Sequence, residues 1–242
     1  MASFKCKAVV VESKDYKEKD KQVLLYSLEN GKFWATLKSA RGEKSKNKVG
    51  KEPFCFGEFL IKNTRGTNIV VGVDVIDSFF GLTSDLDKFY EACGILEIIK
   101  KITNYEESDA MLFMRFVKAL KCICYEDCKN LYVIDKFLID IFFSMGFYFN
   151  VNCCSSCGAT LTSKKYLNYD VGELVCSKCR SLNSEELLPS VLAVIKILNN
   201  IDYEKIPTLK FSQNSEKDTL RILTKNFEGR FMSKLNLMGL LW

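Results

Sequence analysis

The chain has 242 residues, 48% of them apolar, and a formal net charge of +5, a composition that supports packed cores and excludes an intrinsically disordered chain. It contains no histidine, which removes Ser-His-Asp and Cys-His nucleophile schemes and the usual proton shuttle at neutral pH. The charge is uneven: residues 1–51 hold 13 basic side chains against six acidic ones, while the remainder is close to neutral, a distribution that points to a polyanionic partner.

The N-terminus, MASFKCKAVVV, has neither the apolar core of a signal peptide nor a small-residue cleavage site, so a cytoplasmic setting is expected. Eleven cysteines in that reducing setting read as buried thiols, metal ligands or reactive groups, not as disulfides. The most apolar run, Leu131 to Phe149, is interrupted by Asp135, Lys136 and Asp140 and reads as a buried or amphipathic helix, not a membrane span.

Five short runs rich in Val, Phe and Ile come first: residues 4–13, 22–28, 32–38, 54–62 and 68–76. Bounded by turn residues, they predict five strands, and five strands in so short a stretch predict a small barrel of the OB type. Asn30-Gly31 between the second and third predicts a tight type I′ hairpin turn.

After Gly81 the pattern becomes helical. Ser84 and Asp87 have capping-box spacing ahead of a helix that runs to about Lys101. A second helix starts near Ser108 and carries Leu112, Phe116, Leu120 and Ile123 on one face. A third covers about Leu131 to Met145. Beyond a block of cysteines, Asn183 and Glu186 again have capping-box spacing, ahead of an apolar helix over Leu187 to Leu198. Pro207 breaks the chain, and a last helical region runs from about Glu216 to Leu240, with a bend possible at Gly229. The expected architecture is α+β: an N-terminal five-stranded OB-type barrel over residues 1–80, then a helical domain over 81–242 containing a zinc module at about 150–182.

The cysteine block has the pattern C-x2-C-x18-C-x2-C at Cys154, Cys157, Cys176 and Cys179. Each knuckle aims two thiolates at one point, and the intervening span lies in the range of zinc ribbons. Four thiolates predict one closed, structural Zn2+ site with no position left for a catalytic water. Cys153 offers a competing C-x3-C register; the more usual C-x2-C spacing favours Cys154. With zinc bound by four thiolates the formal charge falls from +5 to +3, which concentrates the positive excess further at the N-terminus.

The segment from Lys38 to Lys51, KSARGEKSKNKVGK, carries Lys38, Arg41, Lys44, Lys46, Lys48 and Lys51 against Glu43 alone. It joins the third and fourth predicted strands and follows Phe33-Trp34, two residues that point to opposite faces of a strand. At most one belongs to the core; Trp34 is assigned as the outward one, a platform on which bases stack. The segment is led by lysine, which binds phosphate as a point charge, so weakly sequence-selective nucleic-acid binding is expected. Its glycines lack P-loop spacing, and Glu52 stands where a P-loop needs Ser or Thr, so nucleotide hydrolysis is not expected. A DNA-binding protein and a zinc-ribbon RNA-binding or ribosome-associated factor both fit these residues.

The ordered features add a resemblance. Asp15-Tyr16-Lys17-Glu18-Lys19-Asp20 between two strands, followed by Ser39-Ala40-Arg41-Gly42-Glu43-Lys44-Ser45, resembles the RecO family of bacterial recombination and repair mediators. In that family a similar acidic turn precedes a strand pair and a basic loop, and a helical half often carries a four-cysteine zinc module. The match extends in order over almost the whole chain. Gly42-Glu43 replaces the family's second loop arginine, which shifts the expected DNA contact toward Lys44, Lys46 and Lys48. The resemblance implies a non-enzymatic, nucleoid-associated mediator that binds single- and double-stranded DNA and anneals complementary strands. It further implies that the protein contacts RecR, with which it helps load RecA onto DNA coated with single-strand-binding protein (SSB). A site for the acidic SSB tail needs a basic rim, which Arg115, Lys118 and Lys121 on the second helix are expected to supply.

Overall fold

The computed structural model describes residues 3–40, 49–127, 131–147, 149–161 and 164–237. The chain divides into two compact units, residues 1–92 with 96–124, and residues 93–95 with 125–242.

The first unit is built on five strands: β1 (Ser3–Tyr16), β2 (Asp20–Ser27), β3 (Gly31–Leu37), β4 (Phe56–Thr64) and β5 (Thr67–Asp77). They close into a barrel in the order β1-β2-β3-β5-β4, with β1 also paired to β4. Every ladder is antiparallel except β3 with β5, which is parallel through Thr36–Ile69 and Leu37–Val70. This is the expected five-stranded OB arrangement. β1 serves two neighbours because it is long: residues 3–9 pair with β4 and residues 8–16 with β2. A bulge between Val10 and Glu12 lets the strand bend from one partner to the other.

Strand alternation sorts the side chains. Cys6, Ala8 and Val10 of β1, Val23 and Leu25 of β2, and Phe33, Ala35 and Leu37 of β3 point into one apolar cluster with Phe59 and Ile61 of β4. On the opposite face of β2, Leu24 and Tyr26 are buried too, and the chain after the barrel is helical. Two of its helices are α2 (Leu86–Ile102) and α3 (Ala110–Tyr125), preceded by the short α1 (Phe80–Ser84), which the sequence did not predict. Tyr26 packs on Phe113 and Phe116, at ring separations of 5.9 and 6.1 Å, and Phe54 packs on Phe89. The predicted face of α3, Leu112, Phe116, Leu120 and Ile123, is buried throughout.

Several local expectations change. The β2–β3 connection is not a type I′ turn: Gly31 has a φ of +65°, but Asn30 is not in the left-handed region, and three residues separate the strands. Gly31 is nevertheless required, because a Cβ there would overlap the Glu107 carbonyl. The cap of α2 is Asp85, whose carboxylate accepts from the Lys88 N–H at 3.1 Å, and not Ser84.

The second unit contains α4 (Tyr132–Ser144), α5 (Pro189–Asn199) and α6 (Gln213–Phe231), which pack on one another, with a 3-10 stretch at Tyr203–Thr208 around Pro207. Between α4 and α5 lies a three-stranded sheet, β6 (Tyr166–Asn168), β7 (Glu173–Val175) and β8 (Ser184–Glu186), in the order β7-β6-β8. Asn183 and Glu186 therefore do not form a capping box: residues 184–186 are strand β8, and α5 starts later with Pro189 in its first turn. The last helix ends at Phe231, short of the expected Leu240, with Met232 in the left-handed conformation and no bend at Gly229 separating two helices. Residues 238–242 lie outside the described residues. Among the described residues no helix is long and apolar enough to cross a membrane.

Candidate nucleic-acid interface and metal centre

On the barrel, the alternation that sends Phe33 inward leaves Lys32, Trp34 and Thr36 on the outer face of β3. Lys32 is buried there. Its Nζ donates to the carbonyls of Lys100 and Thr103, at 2.7 and 2.5 Å, at the end of α2 where helix carbonyls lack partners. Burial, with Lys100 nearby, lowers its pKa from the usual lysine value. The backbone continues alongside β3: Glu106 N–H donates to the Lys32 carbonyl, and Tyr105 forms a bridge with Lys32. Tyr105 thus comes next to Trp34, whose indole Nε1 donates to the Tyr105 hydroxyl at 3.3 Å. Lys14, from the end of β1, places its ammonium 4.0 Å from the centre of the Trp34 ring. Trp34 is partly exposed and Tyr105 is 58% exposed.

The basic segment leaves from the end of β3. Lys38 is exposed. Lys51, in a 3-10 turn before β4, donates to the carbonyl of Ala40 at 3.0 Å, so it closes the base of the segment. Arg41, Lys44, Lys46 and Lys48 lie outside the described residues. On α3, Lys118 and Lys121 are exposed and Arg115 is half-buried, on a helix that also exposes Met111 and Met114. No local pattern marks Lys14 or Tyr105: each reaches Trp34 from a distant segment, and only tertiary pairing brings them together.

In the second unit the cysteine pattern becomes a cluster. The sulfurs of Cys154, Cys157, Cys176 and Cys179 all lie within 4.8 Å of one another. Cys153 is not in the group; its backbone instead bridges to Thr160. The first knuckle is a tight turn, with Gly158 N–H donating to the Cys154 carbonyl at 2.9 Å and Gly158 at a φ of +72°. The hairpin β6–β7, turning through Asp170, Val171 and Gly172, returns the second pair. Ser155 N–H bonds the Leu174 carbonyl, and Cys176 N–H points at the Cys154 sulfur at 3.3 Å, which ties the two knuckles together.

The geometry fits one tetrahedral ion. Metal–sulfur bonds of about 2.3 Å imply sulfur–sulfur edges of about 3.8 Å, and Cys157 and Cys176 stand 3.9 Å apart. The electrostatics agree. Burial pushes the Cys154 thiol up, but backbone N–H groups of Cys176, Cys157 and Ser156 outweigh it and bring its pKa down to about 6. Cys179, hydrogen-bonded to the sulfurs of Cys157 and Cys176, is pushed up to about 12. Four thiolates meet at one point only when a cation neutralises them.

The cluster sits in a module that α6 holds in place. Glu185 on β8 accepts from Arg221 at 2.5 Å, from Lys225 at 3.4 Å and from the Tyr169 hydroxyl at 2.9 Å. The Arg221 hydrogen bond drops the Glu185 pKa to about 2, against the opposing effect of burial. About two and a half turns beyond Arg221 on α6, Arg230 donates to the Gly172 carbonyl and lies over the Phe147 ring at 3.8 Å. Gly172 has a φ of +67°, and a Cβ on it would overlap the guanidinium.

Comparison with known proteins finds matches to both parts of the chain. The family model for the Recombination protein O N terminal domain matches residues 1–79, and that for its C terminal domain matches residues 83–235. The DNA repair protein RecO of Clostridium novyi is 27% identical over 223 residues, covering 92% of this chain and 87% of that protein. Those of Acetivibrio thermocellus and Desulfitobacterium hafniense are each 26% identical, covering 89% and 92% of this chain and 86% and 83% of their own. The closed barrel lies within the first matched stretch and the cysteine cluster within the second, and the chain belongs to the RecO family of DNA repair and recombination proteins.

Proposed function

We propose that this protein is a non-enzymatic recombination mediator that binds single- and double-stranded DNA, anneals complementary strands and, with RecR, loads RecA onto SSB-coated DNA at the nucleoid. The observation that carries this reading is the closed OB barrel with a lysine-rich segment springing from β3, its base closed by the Lys51–Ala40 bond. Lys38, Arg41, Lys44, Lys46, Lys48 and Lys51 contact phosphates, and Trp34 contacts bases. Because these contacts are mostly lysine to phosphate, the binding is weakly selective for sequence. The domain division follows function: residues 1–80 bind nucleic acid, and residues 81–242 carry partner contacts and the zinc module.

Zn2+ is the metal this donor set favours, since four thiolates in a tetrahedron suit it and leave no open position for catalysis. Its role is structural. Lys118 and Lys121, with Arg115 and the exposed Met111 and Met114, supply a basic and apolar strip suited to the acidic SSB tail.

The test is annealing of complementary oligonucleotides by the wild type and by a Lys44/Lys46/Lys48→Ala variant across a salt series. For about five neutralised phosphates, log affinity for single strands falls against log salt with a slope of roughly −3.5. The variant should show a slope shallower by roughly 2 and slower annealing at every salt concentration. Equal rates for both proteins would remove the basic segment from the mechanism, and preference for RNA over DNA would replace the mediator role with RNA binding.

A further inference from the structure

We infer that Trp34 and Tyr105, with Lys14, form a base-stacking site for single-stranded DNA on the outer wall of the barrel, and that Tyr105 is its more open ring. This rests on the DNA-binding reading above and adds to it a site that discriminates single strands from duplex.

Three observations carry the inference. The first is how the two aromatics are arranged. The indole N–H of Trp34 holds the Tyr105 hydroxyl, and the backbone of the Tyr105 segment is pinned to β3 by the Glu106–Lys32 bond. Two rings from segments 71 residues apart are therefore preorganised on one face, and little freedom is lost when a ligand arrives. The second is exposure. Tyr105 is 58% exposed although it is an anchored, hydrogen-bonded aromatic. A ring that served only to fasten its segment would gain more by burial.

The third is charge. Each ring has an ammonium near it: Lys14 at 4.0 Å from the Trp34 centroid and Lys32 at 5.0 Å from that of Tyr105. The two lysines differ in what they can do. Lys32 is buried and bonded to two helix carbonyls, so it stays. Lys14 is exposed and its ammonium has a flexible stem, so it can leave the ring. A surface cation–π contact is weaker than base stacking on the same ring. A base therefore displaces the Lys14 ammonium from Trp34, and the freed charge moves to the adjoining phosphate. Two rings for bases with one mobile ammonium beside them, that of Lys14, suit a short stretch of single strand in which a phosphate adjoins the stacked bases. In a duplex the base faces are already stacked on one another and unavailable, so the site contributes nothing there.

The experiment uses the full chain carrying Trp242→Phe, which leaves Trp34 as the single tryptophan. Titration with oligo(dT) should quench the Trp34 emission, while a duplex of equal length should bind without quenching. Tyr105→Phe keeps the ring but loses its tie to Trp34, so it should bind oligo(dT) with an affinity between those of the parent and Tyr105→Ala; Tyr105→Ala should bind it at least about fivefold more weakly than the parent, with duplex affinity unchanged. The Lys44/Lys46/Lys48→Ala variant should weaken both ligands together. If oligo(dT) binds without quenching Trp34, or if Tyr105→Ala weakens single strand and duplex equally, the stacking site is wrong while DNA binding stands. If neither ligand binds the parent protein, both the site and the DNA-binding reading fall. The quenching measurement needs no substitution in the site, so it decides the matter even if Tyr105→Ala unfolds.

Discussion

In the barrel, strands of seven to fourteen residues wrap one apolar cluster, and each strand is paired along much of its length. In the cysteine module each of the three strands has three residues; a few apolar side chains such as Leu167, Leu174 and Val175 are buried, and beside them stand the four clustered cysteines and the charged contacts of Glu185. The barrel distributes its stability over many weak contacts of one kind; the module concentrates it in a few strong ones of different kinds. The difference bears on function: the barrel can expose rings and lysines on its surface without risk to its fold, whereas the module spends its polar groups on holding itself together.

The largest expected effect tests the module. Structural zinc supplies on the order of 10 kcal/mol of apparent binding energy. Cys176→Ser, or a strong chelator added to the wild type, should therefore leave residues 150–182 without amide-exchange protection while β1–β5 stay protected. Loss of protection in both regions at once would make them a single cooperative unit and end the contrast. A soluble, folded Cys176→Ser protein that fails only in DNA binding would instead make the metal centre part of the interface.

Next comes the barrel core. Phe59 is fully buried in the apolar cluster, and Phe59→Ala should cost about 3–5 kcal/mol in denaturant unfolding. Metal content per chain, measured on the same preparation, should not change.

A smaller effect probes how α6 holds the module. Arg221→Ala removes the main partner of Glu185, and since Arg221 is 39% exposed the loss should be modest, about 1 kcal/mol. The readout is faster amide exchange in β8 with the metal content per chain unchanged.

The smallest is a pH effect on the same contact. The folded-state pKa of Glu185 lies at about 2, below its ordinary value of 4.5, so its contribution is complete above pH 4.5 and is lost as the pH falls toward 2. Metal-bound thiolates also protonate in acid, so the quantity to compare is the difference between wild type and Glu185→Gln. That difference should shrink as the pH falls from 4.5 toward 2; a constant difference would show that the Glu185 charge does not contribute.

The same contrast explains what could be read from the sequence. The barrel strands were legible because each is a run of Val, Phe, Leu and Ile long enough to declare itself, and the metal cluster because paired cysteines have few other uses. Short-range patterns misled where a tertiary partner outweighed them. Asn183 and Glu186 have capping-box spacing, yet β6 claims Ser184–Glu186 as a strand. Asn30-Gly31 looks like a two-residue turn, but the passage of Glu107 over Gly31 favours a longer one. Ser84 lost the cap of α2 to its neighbour Asp85. Nothing local marks Lys14, Tyr105, Glu185 or Arg230, because each acts on a residue more than 15 positions away.

The fit of Arg230 against Gly172 sets an order in which this protein can change. Position 230 is free to vary first: a smaller residue there would forfeit the contacts to Phe147 and to the turn, but it would clash with nothing. Position 172 is not free even after that, because its φ of +67° disfavours any side chain whether or not the guanidinium has gone. Descendants of this sequence should therefore include proteins with glycine at 172 and a different residue at 230, and very few with the reverse. The turn acts as a ratchet on the lineage, and glycine at this position should outlast the arginine that now fills the space beside it.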